Sequence, residues 1–111
     1  MKRTHYTGEL KKAIGKDVVV EGWIHDIRLL GGINFILVRD MDGIAQVVAP
    51  KNKTSADMLK KIAGLHNEDI VIVKGTVQKT TKTKNGVEII PKSLERVYAS
   101  EPILPLDPRR V

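Results

Sequence analysis

The pattern of apolar and polar residues predicts five β-strands along the chain, although the fourth alternates poorly because residues 70–73 are all apolar. Each predicted strand is rich in β-branched residues and is bounded by turn-forming residues. The strands cover residues 17–28, 33–39, 44–49, 69–79 and 87–97. Short turns are predicted at Gly31-Gly32, Asp42-Gly43 and Asn85-Gly86, where glycine beside a polar residue favours a hairpin. The first three strands therefore follow one another as a meander.

Two segments are predicted to be helical instead. Residues 56–63 have apolar positions at the i, i+3, i+4 spacing of an amphipathic helix, with Ser55 as the cap and Gly64 as the stop. Residues 10–15 predict a short N-terminal helix that ends at Gly15. Within the strands, Gly22 predicts a bulge or sharp bend, and Pro91 predicts an edge position or a bulge.

Five strands with one helix between the third and the fourth have the element order of an OB-fold. The prediction is an all-β protein: a five-stranded Greek-key barrel with that helix and a short N-terminal helix. An SH3-like barrel and a plain mixed sheet are the alternatives, but neither requires a helix at that connection. The barrel domain is predicted to cover residues 1–101. Residues 102–111 contain three prolines and are predicted to begin a hinge toward another domain.

Composition narrows the class of protein. The chain has 111 residues, a length that suits one domain, and no cysteine, which excludes a disulfide scaffold, a thiolate zinc site and a cysteine nucleophile. It has no apolar run near the roughly 20 residues of a membrane span and no secretory signal, so a cytoplasmic location is expected. The net charge is +6, and residues 74–96 hold six Lys/Arg against two Asp/Glu. This excess is compatible with a polyanionic partner and also with a solvated surface.

Catalytic motifs are missing from the sequence. The histidines His5, His25 and His66 do not have the spacing of a metal site, and no GxSxG or Walker-type loop is present. Asp40 and Asp42 flank a predicted hairpin, where turn formation is the favoured role of aspartate. We therefore expect no enzyme activity and no metal or cofactor in this domain on its own.

Nucleic-acid binding has better support in the pattern. An OB-fold binds single strands on the face of strands 2 and 3, beside the loops 1–2 and 4–5. If Ile36 and Val38 fill the barrel, Phe35 points outward, where a base can stack on its ring. Gln46 on strand 3 offers an amide for a base edge. Arg28, Lys82 and Lys84 offer cations; Trp23 is expected in the core.

Each of these features has a structural alternative. Phe35 can be a core residue if a bulge breaks the alternation, Gln46 can be an ordinary surface residue, and the lysines can serve solubility alone. Three functions therefore stay open at this point. They are recognition of a defined RNA sequence, single-strand binding without sequence preference, and a protein-interaction role for the barrel face or the Pro-rich tail.

Five stretches of the sequence resemble a known family at the family's own spacing. They are RTHY at 3–6, GWIH at 22–25, LGGINF at 30–35, RDMDGIAQV at 39–47 and LPLD at 104–107. Together they are similar to the N-terminal anticodon-binding domain of archaeal-type aspartyl-tRNA synthetase. The GGxxF…RDxxGxxQ block is specific to the aspartyl, asparaginyl and lysyl group, and the first and last stretches favour the aspartyl branch.

The resemblance implies a role for each candidate residue. Phe35 matches the aromatic residue that stacks on the middle anticodon base, a uridine, and Gln46 matches the residue that recognises it. Arg28 matches a cation at the same site, and Glu88 matches a carboxylate near the first base, a guanine or its modified form. The loop with Lys82 and Lys84 matches the region that senses the third base.

That third base separates aspartate from asparagine anticodons, and the residues here are mixed. In the resembled family, enzymes that charge one tRNA tend to have Trp at the His25 position with Lys at the Lys84 position, whereas relaxed enzymes tend to have His and Pro. The implied partner is therefore tRNA-Asp, with tRNA-Asn left open.

The full-length family member implied by the resemblance is an ATP-dependent class II ligase. It is a cytoplasmic homodimer that uses ATP and Mg. This chain ends before the motifs of that catalytic domain, so we expect an excised domain or a stand-alone relative that does not aminoacylate and is monomeric.

Overall fold

The computed structural model describes residues 2–99, and the described chain forms five strands and three short helices. The strands are β1 (Asp17–Leu30), β2 (Ile33–Asp40), β3 (Gly43–Pro50), β4 (Ile70–Lys79) and β5 (Val87–Tyr98). One α-helix, α1 (Ala56–Ala63), lies between β3 and β4, and two 3-10 helices span Thr7–Ala13 and Lys51–Lys53. The predicted strands and α1 are confirmed, and the predicted hinge at 102–111 lies outside the described residues.

The five strands close into a barrel in the order β1-β2-β3-β5-β4, with β4 paired back onto β1. All these pairings are antiparallel except that of β3 with β5, which is parallel and joins Val47 to Ile89. A meander of three strands, a helix and two further strands that close the barrel is the OB-fold architecture. The fold predicted from the sequence is therefore confirmed.

The core lies inside the barrel and beneath its helices. Ile36 and Val38 of β2 are fully buried, as the alternation of that strand requires. Val47 of β3 is fully buried as well. Two of the apolar side chains of α1, Met58 and Ile62, are buried in the core, as the helical spacing predicts. Ser55 caps this helix by accepting a hydrogen bond from the Met58 N–H at 3.2 Å. None of the described helices has the length and apolar character of a membrane span.

The N-terminal helix begins earlier than predicted, at Thr7, and is a 3-10 helix. Its start is held by Asp40, whose carboxylate accepts hydrogen bonds from the Thr7 N–H and the Thr7 hydroxyl, each at 2.8 Å. The same carboxylate accepts from the N–H groups of Asp42 and Gly43. Asp40 therefore shapes the β2–β3 turn, as the sequence predicts, and also joins the helix to that turn.

Three register shifts interrupt the strand pairings. On β1 the register with β2 shifts between Ile24 and Asp26, beyond the predicted position at Gly22. The β4–β5 register shifts between Ile70 and Val71 and again between Lys74 and Gly75, where Lys92 of β5 is unpaired in the register, so a bulge lies directly beside Pro91 as predicted. Gly22 has a different role: a Cβ there would collide with the Arg39 carbonyl oxygen of the paired strand.

The prediction that Trp23 belongs to the core is wrong. Its side chain is 37% exposed and lies beside Arg39, whose guanidinium carbon is 6.0 Å from the ring centroid. The reason is the alternation of β1, which turns Val20, Gly22 and Ile24 toward the interior. A residue between two inward positions on a strand points outward, whatever its size.

Candidate nucleic-acid interface

An open groove of about 540 Å³ lies on the outer face of the barrel, between the sheet and the β4–β5 loop. The sheet side is formed by one residue of β1, one of β2, two of β3 and one of β5, and the loop side is formed by residues 82–85, which include two lysines. The principal lining residues are Arg28, Leu37, Ile44, Gln46, Lys82 and Lys84. The groove combines apolar surface, an amide and three cations.

Strand register explains why these residues meet. Residues directly opposite each other in paired strands point to the same face of a sheet. Arg28 on β1 is opposite Phe35 on β2, and Leu37 on β2 is opposite Gln46 on β3. Since Ile36 points into the barrel, Phe35 and Leu37 point out of it. The outward orientation predicted for Phe35 is therefore observed.

Phe35 is half-buried, and Lys82 from the β4–β5 loop approaches it. The Lys82 Nζ lies 6.0 Å from the ring centroid, at the outer limit of a cation–π contact. A ring with one cation near it and part of its surface accessible can hold a base while the ammonium group meets a phosphate. The structure thus brings the loop lysine and the aromatic residue together.

The β4–β5 loop is held in a defined shape over the groove. The Thr80 N–H donates to the Gly86 carbonyl at 3.0 Å, and Gly86 has φ of +73°, in the left-handed region. The Asn85 amide donates to the Ile44 carbonyl of β3 at 3.4 Å. These contacts place Lys82 and Lys84 on the same side as the sheet residues.

Arg28 forms an ion pair with Asp26, from its Nε to Oδ2 at 3.1 Å, and both side chains are well exposed. An exposed pair of this kind contributes little to stability. The guanidinium has five N–H donors, of which this contact uses one. Arg28 therefore keeps donors for a phosphate or base at the groove.

Glu88 is the buried charge of this face, with only 7% of the residue exposed. Its Oε1 accepts a hydrogen bond from the Gln78 amide at 2.7 Å, and its Oε2 accepts one from the Gln46 amide at 3.4 Å. Gln78 lies directly opposite Glu88 in the β4–β5 pairing. Both oxygens of the carboxylate are thus engaged by amides of neighbouring strands.

Three predicted site residues do not line the groove. Phe35 lies near Lys82 and Glu88 bonds to Gln46, both of which do line it, and the third residue is His25. It occupies the β1 bulge, without a partner residue in the β1–β2 register, and its side chain is exposed. Lys84, which the family resemblance considers together with His25 for the third base, lines the groove. Within the described part of the chain, no group of three or more His, Asp or Glu side chains could hold a metal ion.

Sequence reasoning missed Leu37, Ile44 and Gln78. The alternation that turns Phe35 outward also turns Leu37 outward, so the pattern of β2 was sufficient to predict Leu37 on this face. The pattern was not sufficient to predict Gln78, because its contact with Glu88 depends on the β4–β5 register. That register contains two shifts, and the pattern of apolar and polar residues does not locate both of them.

A profile of the tRNA anti-codon family, described as an OB-fold nucleic acid binding domain, matches residues 18–97. The chain is 47% identical over 109 residues to an aspartate–tRNA(Asp) ligase of Pyrococcus horikoshii, covering 97% of this chain and 25% of the relative. It is 46% identical over 107 residues to an aspartate–tRNA(Asp/Asn) ligase of Methanosphaera stadtmanae, covering 96% and 24%. The chain thus spans about a quarter of the length of the curated relatives it matches.

Solved structures share the same architecture. An asparaginyl-tRNA synthetase from Pyrococcus horikoshii superposes with a TM-score of 0.82 and 29% identity, covering 100% of this chain and 27% of that one. A protein called OBody AM3L09, solved bound to hen egg-white lysozyme, superposes with a TM-score of 0.84 and 32% identity, covering 90% of this chain and 99% of that one.

Proposed function

Because the chain belongs to the family of OB-fold anticodon-binding domains, we propose that it recognises the anticodon loop of tRNA-Asp as a module of an aspartate–tRNA ligase. The single observation that carries this proposal is an outward Phe35 that lies opposite Arg28 in the strand register and 6.0 Å from the Lys82 Nζ, on the same face as a groove lined by Arg28, Gln46 and the loop lysines. An unstacked RNA loop requires a π-surface, a polar group for a base edge and cations for phosphates. Phe35 and the groove beside it supply all three.

In the proposed complex the middle base, uridine, stacks on Phe35 while the Gln46 amide bonds its edge. Arg28, opposite Phe35 in the strand register, assists at the same base. Lys82 and Lys84 neutralise phosphates or approach the third base from the β4–β5 loop. Stacking on an aromatic residue contributes about 1–3 kcal/mol per base, and an amide–base pair adds a similar discrimination of about 1–3 kcal/mol.

Glu88 differs from the other groups in this proposal. The resemblance assigns it to the first base, a guanine, whose N1–H and N2–H₂ groups are donors that a carboxylate can accept. Its side chain is buried and already accepts two amide hydrogen bonds. A carboxylate has about four lone-pair sites, so a guanine would use the remaining ones, beside the groove residue Gln46.

The partner within this proposal is tRNA-Asp, and tRNA-Asn is the second candidate. His25 and Lys84 give the mixed pattern described above, and the ligase relatives include both Asp and Asp/Asn types. Stem-loops with the anticodons GUC and GUU, compared in one titration series, decide between the two. A clear preference for GUC assigns the domain to tRNA-Asp alone, and equal affinity assigns it to both.

Aminoacylation is assigned to a part of the ligase outside this chain. The chain corresponds to about a quarter of each ligase relative, and its groove contains recognition groups. The ATP and Mg of the reaction would then be bound elsewhere in the whole enzyme, and this domain would contribute to the choice of tRNA.

Affinity for an anticodon stem-loop tests the proposal. We expect the stem-loop with GUC to bind about 5- to 150-fold more tightly than one whose middle base is cytosine, which corresponds to about 1–3 kcal/mol. Fluorescence anisotropy at fixed salt measures both constants. Equal affinity for the two stem-loops contradicts recognition of the base.

The alternatives give different results in the same experiment. A single-strand binder without preference would bind every oligonucleotide similarly and lose affinity steeply with salt. A protein-binding function has one specific observation in its favour, since a closely superposing OB-fold is solved in complex with lysozyme. In that case no RNA would bind even at low salt.

A further inference from the structure

Three side chains on three strands form a short chain of hydrogen bonds, Gln78–Glu88–Gln46, that ends in the groove. We propose that Glu88 is a positioning residue that fixes the orientation of the Gln46 amide and thereby makes the site admit uridine and reject cytosine at the middle position. This inference rests on the proposed function. It gives Glu88 a role that contact with the first base does not provide.

The geometry places the carboxylate between two amides. Gln46 lies on β3, Glu88 on β5 and Gln78 on β4, and the latter two are directly opposite each other. The Gln78 Nε2 donates to Oε1 at 2.7 Å, and the Gln46 Nε2 donates to Oε2 at 3.4 Å. Each oxygen thus has its own donor, and the shorter bond holds the carboxylate in place for the longer one.

The chemistry of the carboxylate decides which way the Gln46 amide turns. A carboxylate has no hydrogen to donate, so only the Nε2 end of an amide can bond to it. The flipped amide would bring Oε1 against Oε2, two acceptors with no proton between them. A buried acceptor pair of this kind is costly because water does not separate the two oxygens, and Glu88 is only 7% exposed. Gln46 therefore presents Oε1 and its second N–H to the groove in one fixed order.

A fixed order of donor and acceptor separates the two pyrimidines. Uracil has an N3–H donor beside the O4 acceptor, whereas cytosine has an N3 acceptor beside the N4–H₂ donor. With the ring held at one place on Phe35, an amide in one orientation matches uracil, and the same amide turned over matches cytosine. An amide free to turn would bind both bases. The hydrogen bond to Glu88 keeps the Gln46 amide from turning over, so the site accepts uracil and rejects cytosine.

The test compares Glu88→Gln with Glu95→Gln. The first variant keeps the size of the side chain but adds an amide that can donate or accept, so Gln46 can adopt either orientation. Glu95 is an exposed glutamate on the same strand. Its variant removes the same negative charge and controls for the general gain in RNA affinity. Each protein is titrated with stem-loops that carry uridine or cytosine at the middle position, and urea unfolding checks the fold.

We expect the wild type and Glu95→Gln to share a uridine preference of about 5- to 150-fold, and Glu88→Gln to retain less than a fifth of it. The loss comes mainly from tighter binding of the cytosine stem-loop. A merely structural role for Glu88 would weaken both stem-loops together and leave their ratio unchanged, which overturns the inference. No uridine preference in the wild type would instead contradict the proposed function.

A measurement on the wild type keeps the inference testable if Glu88→Gln does not fold. In an NMR pH titration, the side-chain amide signals of Gln46 and Gln78 should move with the same midpoint as the Glu88 carboxyl carbon. That result shows that both amides are bonded to this carboxylate in solution. A Gln46 amide signal that ignores the Glu88 titration overturns the inference.

Discussion

Two aromatic residues on neighbouring strands show how far a single residue's position follows from the sequence. Phe35 was predicted to point outward because Ile36 and Val38 were assigned to the core, and the structure agrees. Trp23 was assigned to the core by its size, although the same alternation turns it outward between Gly22 and Ile24. The strand period outweighs side-chain size. Gly22 occupies an inward position of β1 without contributing an apolar side chain. The alternation of β1 is therefore difficult to see in the sequence.

Asp40 is a buried residue whose charge state affects the stability of the described fold. Burial acts to raise the pKa of its carboxyl, but hydrogen bonds from the Thr7 N–H and hydroxyl and from the Asp42 and Gly43 N–H groups outweigh it and hold the pKa below its ordinary value of 3.8. A lowered pKa in the folded state means that ionised Asp40 stabilises the fold above the ordinary pKa. That contribution is lost as the pH falls through the lowered value.

Asp40→Asn should lower the free energy of unfolding by about 1.5–3 kcal/mol at pH 7, because hydrogen bonds to a charged group are lost. The difference from the wild type should stay constant above about pH 5 and shrink as the pH falls below the ordinary pKa of 3.8. Urea unfolding at a series of pH values measures it. Asp42→Asn is the control, since exposed Asp42 accepts a single hydrogen bond from the Gly8 N–H at 3.0 Å. A difference that does not change with pH would show that the charge of Asp40 contributes nothing.

At the scale of the elements, strands and α1 follow from local pattern, whereas bulges and register do not. Ser55 and Gly64 mark the ends of α1 in the sequence because each satisfies a backbone group at a helix end. The β1 bulge at Ile24–Asp26 was placed too early, at Gly22. Gly22 is needed for a different reason: its hydrogen leaves room for the Arg39 carbonyl on β2, a contact between strands that no local pattern contains.

Gly22→Ala should therefore destabilise the domain by about 1–3 kcal/mol, the usual cost of an added methyl group in a packed site. The Arg39 carbonyl belongs to the β1–β2 pairing at Trp23 and cannot move without disturbing it. Gly31→Ala is a matched control, because a Cβ at that turn position meets nothing within 4 Å, and we expect a change within about 0.5 kcal/mol. Equal unfolding midpoints for both variants would contradict this account of Gly22.

At the scale of the whole molecule, the order of elements was sufficient to predict the barrel, and the barrel was sufficient to predict which face carries the groove. Arg28, Gln46, Lys82 and Lys84 line that groove as a consequence. The contact of Glu88 with Gln78 and Gln46 was beyond the sequence, because it depends on the closure of β5 against both β3 and β4. Closure of the barrel brings together strands that are distant in the sequence, and a local pattern does not show which of their side chains meet.

The most direct measurement of the central claim is a double-mutant cycle between Phe35 and the middle base of the anticodon stem-loop. Phe35→Ala is combined with an abasic residue at the middle position, and Trp23→Ala is the control, since this exposed aromatic side chain lies beside Arg39, whereas Phe35 lies beside Lys82 of the groove. We predict that Phe35→Ala costs about 1–3 kcal/mol of binding with the uridine stem-loop and less than about 0.5 kcal/mol with the abasic one. Equal losses with both stem-loops would show that Phe35 does not hold this base, and would contradict the proposed mode of anticodon recognition.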